Sequence, residues 1–344
     1  AYLTDKNPFQ VNLFNKRQIL HPDYEGPCTL GQVFVDGEAY RERLDRQTML
    51  AYERSYWYDR ESGEVYVHFA GSAPLDQRLV ELTVRRAIFR PHVMGLGYIT
   101  VRGFKFEHCG NQNFSVRTDI PGARYGQPNG AVCVHHGHHW IIEENVVRHA
   151  RTIGIKLGSP LRLTNEREEQ GESGKAHHNI ARNNIVTDNG TLGIMAFMPR
   201  DQSGVGVEVS GNLIARNNAL GMEHNENGGF KSHNLVDGLI ADNTVIDNEC
   251  HGIWIDWNWA GTRVSRNLVL GNRRSGIFIE IGNFRTDDPA SPVPDEERML
   301  VDHNIVGFSR PSTTGHDVLK GSGIVLHSAS GVTVAHNLVF QNPQ

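Results

Sequence analysis

Gly252-Ile-Trp-Ile-Asp256 and Gly276-Ile-Phe-Ile-Glu280 are two nearly identical pentads, each closed by a carboxylate and set 24 residues apart (280 − 256). That interval is also a structural period of the chain. Working outward from the pentads, a recurrent segment reads Trp-Ile-Ile-Glu-Glu-Asn145-Val-Val, Ile-Ala-Arg-Asn-Asn184-Ile-Val, Val-Glu-Val-Ser-Gly-Asn212-Leu-Ile, Leu-Ile-Ala-Asp-Asn243-Thr-Val-Ile, Val-Ser-Arg-Asn267-Leu-Val, Leu-Val-Asp-His-Asn304-Ile-Val and Val-Thr-Val-Ala-His-Asn337-Leu-Val. Each unit alternates β-branched with polar residues at period two, is punctuated by Gly and Asn, and shows no helical pattern. A period of 20 to 50 residues marks a solenoid. The fold class is therefore all-β, with a right-handed parallel β-helix from about residue 95 onward, one coil per repeat. The recurrent Asn falls where one strand turns into the next, so stacked Asn side chains are expected to satisfy turn backbone groups above and below.

Stacked coils lie one inter-strand spacing, ~4.8 Å, apart, so residues at equivalent places on successive coils become neighbours. Alternation along the pentads points Ile253, Ile255, Ile277 and Ile279 inward, and Trp254, Asp256, Phe278 and Glu280 outward to solvent. The register extends upstream to Gly229-Phe-Lys-Ser-His233 and downstream to Gly323-Ile-Val-Leu-His327. One outward column then reads His233, Asp256, Glu280, His327, and a second beside it Lys231, Trp254, Phe278.

Two carboxylates one rung apart repel, which raises the pKa of one of them. A purely structural column would avoid that arrangement. A retaining glycoside hydrolase requires it, with two carboxyl groups ~5–5.5 Å apart, one acting as nucleophile and the other as acid then base. An inverting enzyme holds them roughly 6.5–9.5 Å apart to admit water, so one-rung stacking favours retention. Asp256 and Glu280 are the candidate pair. The adjacent Trp254 and Phe278 suit stacking on a sugar face or desolvation of Glu280, against the alternative of simply covering the strand.

Composition is compatible with this reading. The chain has 344 residues, 36 Gly and a net charge of −5. An acidic balance without a Lys/Arg-rich run argues against nucleic acid as partner, and no run of apolar residues is long enough to span a bilayer. Cys28, Cys109, Cys133 and Cys250 are scattered without C-x-x-C spacing and read as buried thiols. The chain begins at Ala1, which reads as a processed or trimmed start and leaves the compartment open between bacterial cytoplasm and periplasm or medium.

Residues 1–90 do not share the repeat. Gln32-Val-Phe-Val-Asp36 and Trp57-Tyr-Asp-Arg-Glu-Ser-Gly-Glu-Val-Tyr-Val67 alternate, and Ser62-Gly63 marks a hairpin turn. This region is expected to form a small antiparallel β-sandwich-like domain with Trp57, Tyr58 and Tyr66 in its core, and residues 91–344 to form the β-helix that carries the site.

Val80-Glu-Leu-Thr-Val-Arg-Arg86, Gly97-Tyr-Ile-Thr-Val-Arg-Gly-Phe104, Trp140-Ile-Ile-Glu-Glu-Asn145, Gly154-Ile-Lys-Leu-Gly158 and, most specifically, Gly252-Ile-Trp-Ile-Asp-Trp257, Gly261-Thr-Arg-Val-Ser-Arg-Asn267 and Ile277-Phe-Ile-Glu280 together resemble glycoside hydrolase family 120, the β-xylosidases. The resemblance runs from about residue 31 to 310. It implies a β-helix with an inserted β-sandwich, a retaining mechanism, Asp256 as nucleophile, Glu280 as acid/base, and a further family Glu matched by Glu226. Two departures stand out: Ile281-Gly-Asn-Phe284 replaces a Ser-His-Gly-Pro-like stretch, and His135-His-Gly-His-His139 is richer in His than the family pattern. Family members begin with coils ahead of the sandwich, so this chain reads as a fragment or a late start.

The substrate-binding set expected from both arguments is Glu226, Lys231, His233, Trp254, Trp257, Phe278, His327, His135 and His136. Alternation puts His136 and His138 on one face and His135 and His139 off it, so spacing alone completes no tetrahedral set; substrate contacts are preferred there, and neither a metal nor a cofactor is expected. The expected partner is an oligosaccharide, and self-association is left open. Two rival readings are weighed: a polysaccharide lyase using Lys231, Arg263 or Arg285 on uronic acids, which the paired acids would repel, and a non-catalytic carbohydrate-binding solenoid. The insertion from Thr286 to Glu297, with three Pro and five acids, reads as a loop at the rim of the site, either a pocket wall or an intersubunit contact.

Overall fold

The computed structural model describes residues 7–10, 29–72, 74–111, 130–158, 176–198, 204–222, 227–257, 260–281, 294–312 and 321–343. Three parallel sheets of eight, eight and seven strands dominate it, and each sheet orders its strands by their position along the chain. One coil is typified by Leu239–Ala241 in the first sheet, Thr244–Ile246 in the second and His251–Asp256 in the third; the next coil repeats it as Arg263–Ser265, Leu268–Leu270 and Ser275–Glu280. The rungs pair Ile240 with Val264, Val245 with Val269 and Ile253 with Ile277. The chain is a parallel β-helix, as its periodicity requires.

The short strands explain how so little sequence fills the interior. A three-residue strand offers one inward side chain, and Val209, Ile214, Ile240, Val245, Val264, Val269, Ile277 and Ile279 are all fully buried in one continuous cluster. Each contributes about 1.5–3 kcal/mol by leaving water. β-Branched residues suit this stack because they are stiff and pack well on a pleated surface.

The corners are held by asparagine. In the ladder of Asn145, Asn184, Asn212, Asn243, Asn267, Asn304 and Asn337, each Oδ1 after the first accepts the backbone N–H and the Nδ2 of the Asn one coil before it, and Asn145 Oδ1 accepts the Phe104 N–H. A second ladder, which the sequence reading missed, runs through Asn189, Asn217, Asn248 and Asn272 at the next corner. The residue before each ladder Asn lies in the left-handed region, as at Asp242 (φ 59°) and Asp247 (φ 54°). The kink this produces turns the chain into the next sheet, and the stacked amides serve the donors it strands.

The N-terminal region departs from the expected all-antiparallel unit. Val33–Val35 does pair antiparallel with both Glu38–Ala39 and Val80–Leu82. In the second small sheet, however, Arg41–Glu42 runs parallel to Ser55–Tyr56, and only Ser55–Tyr58 with Val65–His68 forms the expected hairpin. A short helix, Arg46–Ala51, capped by the Asp45 side chain, supplies the crossover that a parallel pair needs. The aromatic expectation holds for Tyr58, buried with Tyr56 and Phe9, whereas Trp57 and Tyr66 stack on each other at 5.4 Å on the other, partly exposed face of the hairpin. Alternation decides this, since Trp57 and Tyr66 are cross-strand partners and cannot share the face of Tyr58.

Buried Arg151 joins this region to the helix by donating to Glu42 at 2.8 Å and to the Thr29 carbonyl at 2.9 Å. No helix among the described residues is long and apolar enough to cross a membrane.

Candidate active site

The third sheet carries the residues of interest because its strands are the longest, six residues in Gly228–His233, His251–Asp256, Ser275–Glu280 and Ser322–His327. Their registers pair His233 with Asp256, Asp256 with Glu280 and Glu280 with His327. Beside this column, Lys231 pairs with Trp254 and Trp254 with Phe278. Both columns read from the sequence are thus present in order, with the inward isoleucines between them.

Their exposure differs from expectation. Lys231 is 0%, Asp256 3%, Phe278 5%, His233 6% and Trp254 8% exposed, so the columns turn away from the helical core without facing open water. Stacked rings cover one another: Trp254 and Phe278 lie 5.4 Å apart, and His251 packs on Phe278 at 4.7 Å. The Lys231 ammonium lies 3.0 Å from the centre of the Trp254 ring, a desolvated cation–π contact. Only Glu280 and His327, toward the next coil, retain substantial exposure.

The two acids sit in unlike surroundings. Asp256 Oδ2 takes a hydrogen bond from Lys231 Nζ at 2.9 Å and lies 3.1 Å from His233 Nε2. Its Oδ1 is buried and accepts no hydrogen bond among the described residues. Glu280, half-buried, faces His327 Nδ1 at 3.4 Å. Burial, and then the charge of Asp256, push the Glu280 carboxyl above the usual carboxylate range against the opposing pull of Lys231 and His327. Paired acids whose environments differ in this way are the signature of divided acid–base roles.

Several residues were not anticipated. His251 occupies the aromatic patch with Trp254 and Phe278, donates to or accepts from Ser275 Oγ at 2.6 Å, and has its protonation pushed well down by burial. Lys156 continues the Lys231 column two coils earlier, through Met195. It is fully buried, its Nζ has no hydrogen-bond partner among the described residues, and burial lowers its amine to about 7. Gly154-Ile-Lys156 repeats the pattern of Gly229-Phe-Lys231, the one sequence signal that could have found it.

Other expected members are placed differently. Trp257 follows Asp256 at φ 66° and its ring lies 6.4 Å from that of His233, at the edge of the site. His135 and His136 are buried at the end of the first coil, four strands along the third sheet from Asp256, about 19 Å at the usual rung spacing. They do not line the acid pair. Glu226, Arg285 and most of the insertion after Glu280 lie outside the described residues. Arg263 is on the first sheet, bound to Asp302 at 2.6 Å, and so is not available to the acids. Among the other histidines, His138, His139 and His177 each bring one ring nitrogen within 4.8 Å of the others, the one grouping among the described residues suited to a metal ion.

A family model described as a right-handed beta helix region matches residues 129–288. A search of curated proteins found no match. Among solved structures, that of XylC in complex with xylose aligns with a TM-score of 0.68 at 22% identity, over 98% of this chain and 54% of that one, so the present chain spans about half its length. A periplasmic alginate epimerase, AlgG, aligns at TM-score 0.38 with 13% identity over 69% of this chain and 58% of its own, and a pectate lyase at 0.35 with 13% identity over 60% and 50%. The family match and the XylC alignment bear out the right-handed β-helix.

Proposed function

We propose that the chain is a retaining glycoside hydrolase, β-xylosidase-like and exo-acting on plant-type oligosaccharides, working through a covalent glycosyl-Asp256 intermediate. The observation that carries the reading is the direct pairing of Asp256 with Glu280 in unlike settings: Asp256 buried and hydrogen-bonded by Lys231, Glu280 half-buried beside that charge with its pKa raised. Adjacent rungs place the two backbones ~4.8 Å apart, close to the ~5–5.5 Å carboxyl separation of retaining enzymes. The similarity to XylC, whose structure contains xylose, supports the choice of sugar.

In the first step Asp256 Oδ1, the oxygen that accepts no hydrogen bond among the described residues, bonds to the anomeric carbon as the bond to the leaving oxygen breaks, and protonated Glu280 transfers its proton to that oxygen. Lys231 and His233 hold Oδ2 so that the attacking lone pair keeps its direction. In the second step Glu280, now ionised, removes a proton from water, whose oxygen displaces Asp256 from the sugar and regenerates both groups. Trp254, over the Lys231 ammonium, and Phe278 beside it shield the Lys231–Asp256 pair from water, which strengthens that contact.

A panel of aryl β-D-xyloside, α-L-arabinoside, β-D-glucoside, β-D-galactoside and α-L-fucoside, followed by NMR of the first-formed anomer, tests this. Xyloside cleavage with retained configuration is expected. Inversion would remove Asp256 as nucleophile, and inertness toward the whole panel would shift the reading to elimination chemistry or to sugar binding without turnover.

A further inference from the structure

His138-His139-Trp140-Ile141 and His177-His178-Asn179-Ile180 occupy equivalent corners of successive coils, because Ile141 pairs with Ile180. The repeat therefore stacks one His-His pair on another. His138 lies face to face with His177 at 5.1 Å and 8°, and His139 with His178 at 5.0 Å and 8°. Within each pair the rings are perpendicular and their Nδ1 atoms meet, at 2.9 Å between His138 and His139 and at 2.8 Å between His177 and His178.

We propose that this corner is a transition-metal site, in which His138, His139 and His177 bind one divalent ion of the Zn²⁺ class through ring nitrogens, with His178, hydrogen-bonded to His177, or a water in the fourth position, and staple the second coil to the third. Imidazole is the preferred ligand of Zn²⁺, Cu²⁺ and Ni²⁺, and the absence of carboxylate in the set selects against Ca²⁺ and Mg²⁺. In each pair one ring nitrogen donates to the other without metal; on coordination the donating ring moves its proton to Nε2, the tautomer that frees Nδ1. A tetrahedral site with ~2.0–2.1 Å bonds separates its nitrogens by about 3.3 Å. The close pairs must open by a few tenths of an ångström and the stacked rings must lean together, a side-chain rotation open to half-exposed histidines.

The backbone keeps room for these rings. A Cβ on Gly97 would sit 2.2 Å from His138 Cε1, and one on Gly206 would sit 2.8 Å from His178 Cδ2. On the outer side Tyr98 closes the stack on His139 at 4.7 Å, giving the ion one apolar wall. The site lies just before the first-sheet strands Ile141–Glu143 and Ile180–Arg182, in earlier coils than Glu280, and takes no part in the chemistry proposed above.

Purified protein stripped by a chelator and titrated with Co²⁺ should develop the visible bands of nitrogen-coordinated Co²⁺, saturating at one ion per chain and bleached by Zn²⁺. The double variant His139→Ala/His177→Ala should lose that one-equivalent signal, while His303→Ala/His336→Ala, which removes another stacked pair at 5.2 Å, should keep it. Zn²⁺ should also raise the Tm of the wild type and of the second variant alone. No saturable spectrum in the wild type, or an unchanged one in His139→Ala/His177→Ala, overturns the site. Should that variant fail to fold, X-ray absorption at the zinc edge of the wild type decides instead: at least three imidazole nitrogens uphold the site, and fewer reject it.

Discussion

Asp256 Oδ1 is a buried carboxylate oxygen that accepts no hydrogen bond among the described residues, a position that costs about 1–3 kcal/mol. A structural residue would relieve that cost, and a nucleophile makes use of it. Asp256→Ala is expected to lower kcat on an aryl β-xyloside on the order of 10⁴-fold or more, the scale of nucleophile deletions. Glu280→Ala should lose about 10²–10⁴-fold on a poor leaving group and less on an activated one. Azide should then restore turnover and yield the β-glycosyl azide; unchanged kinetics in both variants would refute the roles. Because the Asp256 charge raises the Glu280 carboxyl, Asp256→Asn should lower the Glu280 pKa as followed by ¹³C NMR, leaving it above the ordinary value through burial, whereas His327→Ala should raise it. The acid must be protonated to act, so the basic limb of the pH–rate profile of His327→Ala should move upward. Lys156 offers a stability counterpart. Its folded amine titrates at about 7 against an ordinary 10.5, so unfolding takes up a proton between those values and stability rises with pH across that window. Lys156→Met should stabilise the chain on the order of a few kcal/mol below pH ~7 and lose that advantage by pH ~10.5, measured by urea unfolding across pH.

Among the elements, the asparagine ladders decide whether the coils stack at all. Asn243 accepts from the Asn212 backbone and side chain and donates to the Val209 carbonyl, all buried. Asn243→Ala leaves those groups unpaired and should cost about 2–4 kcal/mol, as two or more buried partners each lose a hydrogen bond. Asn248→Ala, in the ladder that the sequence reading overlooked, should cost a similar amount; a urea midpoint close to wild type for either would reduce the ladders to ornament. The pentad glycines have an equally specific cause. A Cβ on Gly252 would come within 2.6 Å of the Gly276 carbonyl oxygen and 2.8 Å of Asn272 Nδ2, because the chain bends inward there before Ile253 resumes the alternation. The bend lets His251 turn back onto Trp254 and Phe278, an arrangement that strict period-two reading could not anticipate.

At the scale of the whole molecule, the N-terminal unit is tied to the helix through Arg151 and Glu42, with side-chain exposures of only 6% and 8%. Removing one partner of a buried pair leaves a stranded charge and costs about 3–5 kcal/mol. Arg151→Met should therefore lower stability by that order and speed proteolysis of residues 29–82, with the β-helix comparatively protected; simultaneous loss of both would mean the two parts unfold as one. The solenoid itself accounts for the column of polar groups. Each coil contacts mainly its neighbours, so residues one period apart meet whatever the rest of the chain does.

Local pattern and period were enough to establish the β-helix, the first asparagine ladder, and the order of His233, Asp256, Glu280 and His327 along one sheet, because strand alternation and rung pairing are short-range rules that repeat. Burial of those columns, the inward bend at Gly252, the parallel pair beside the Asp45-capped helix, and the meeting of His138 and His139 with His177 and His178 were decided by tertiary structure alone. Each depends on what a third element covers or on how a long excursion between coils returns to register, and neither is encoded in the spacing of the residues themselves.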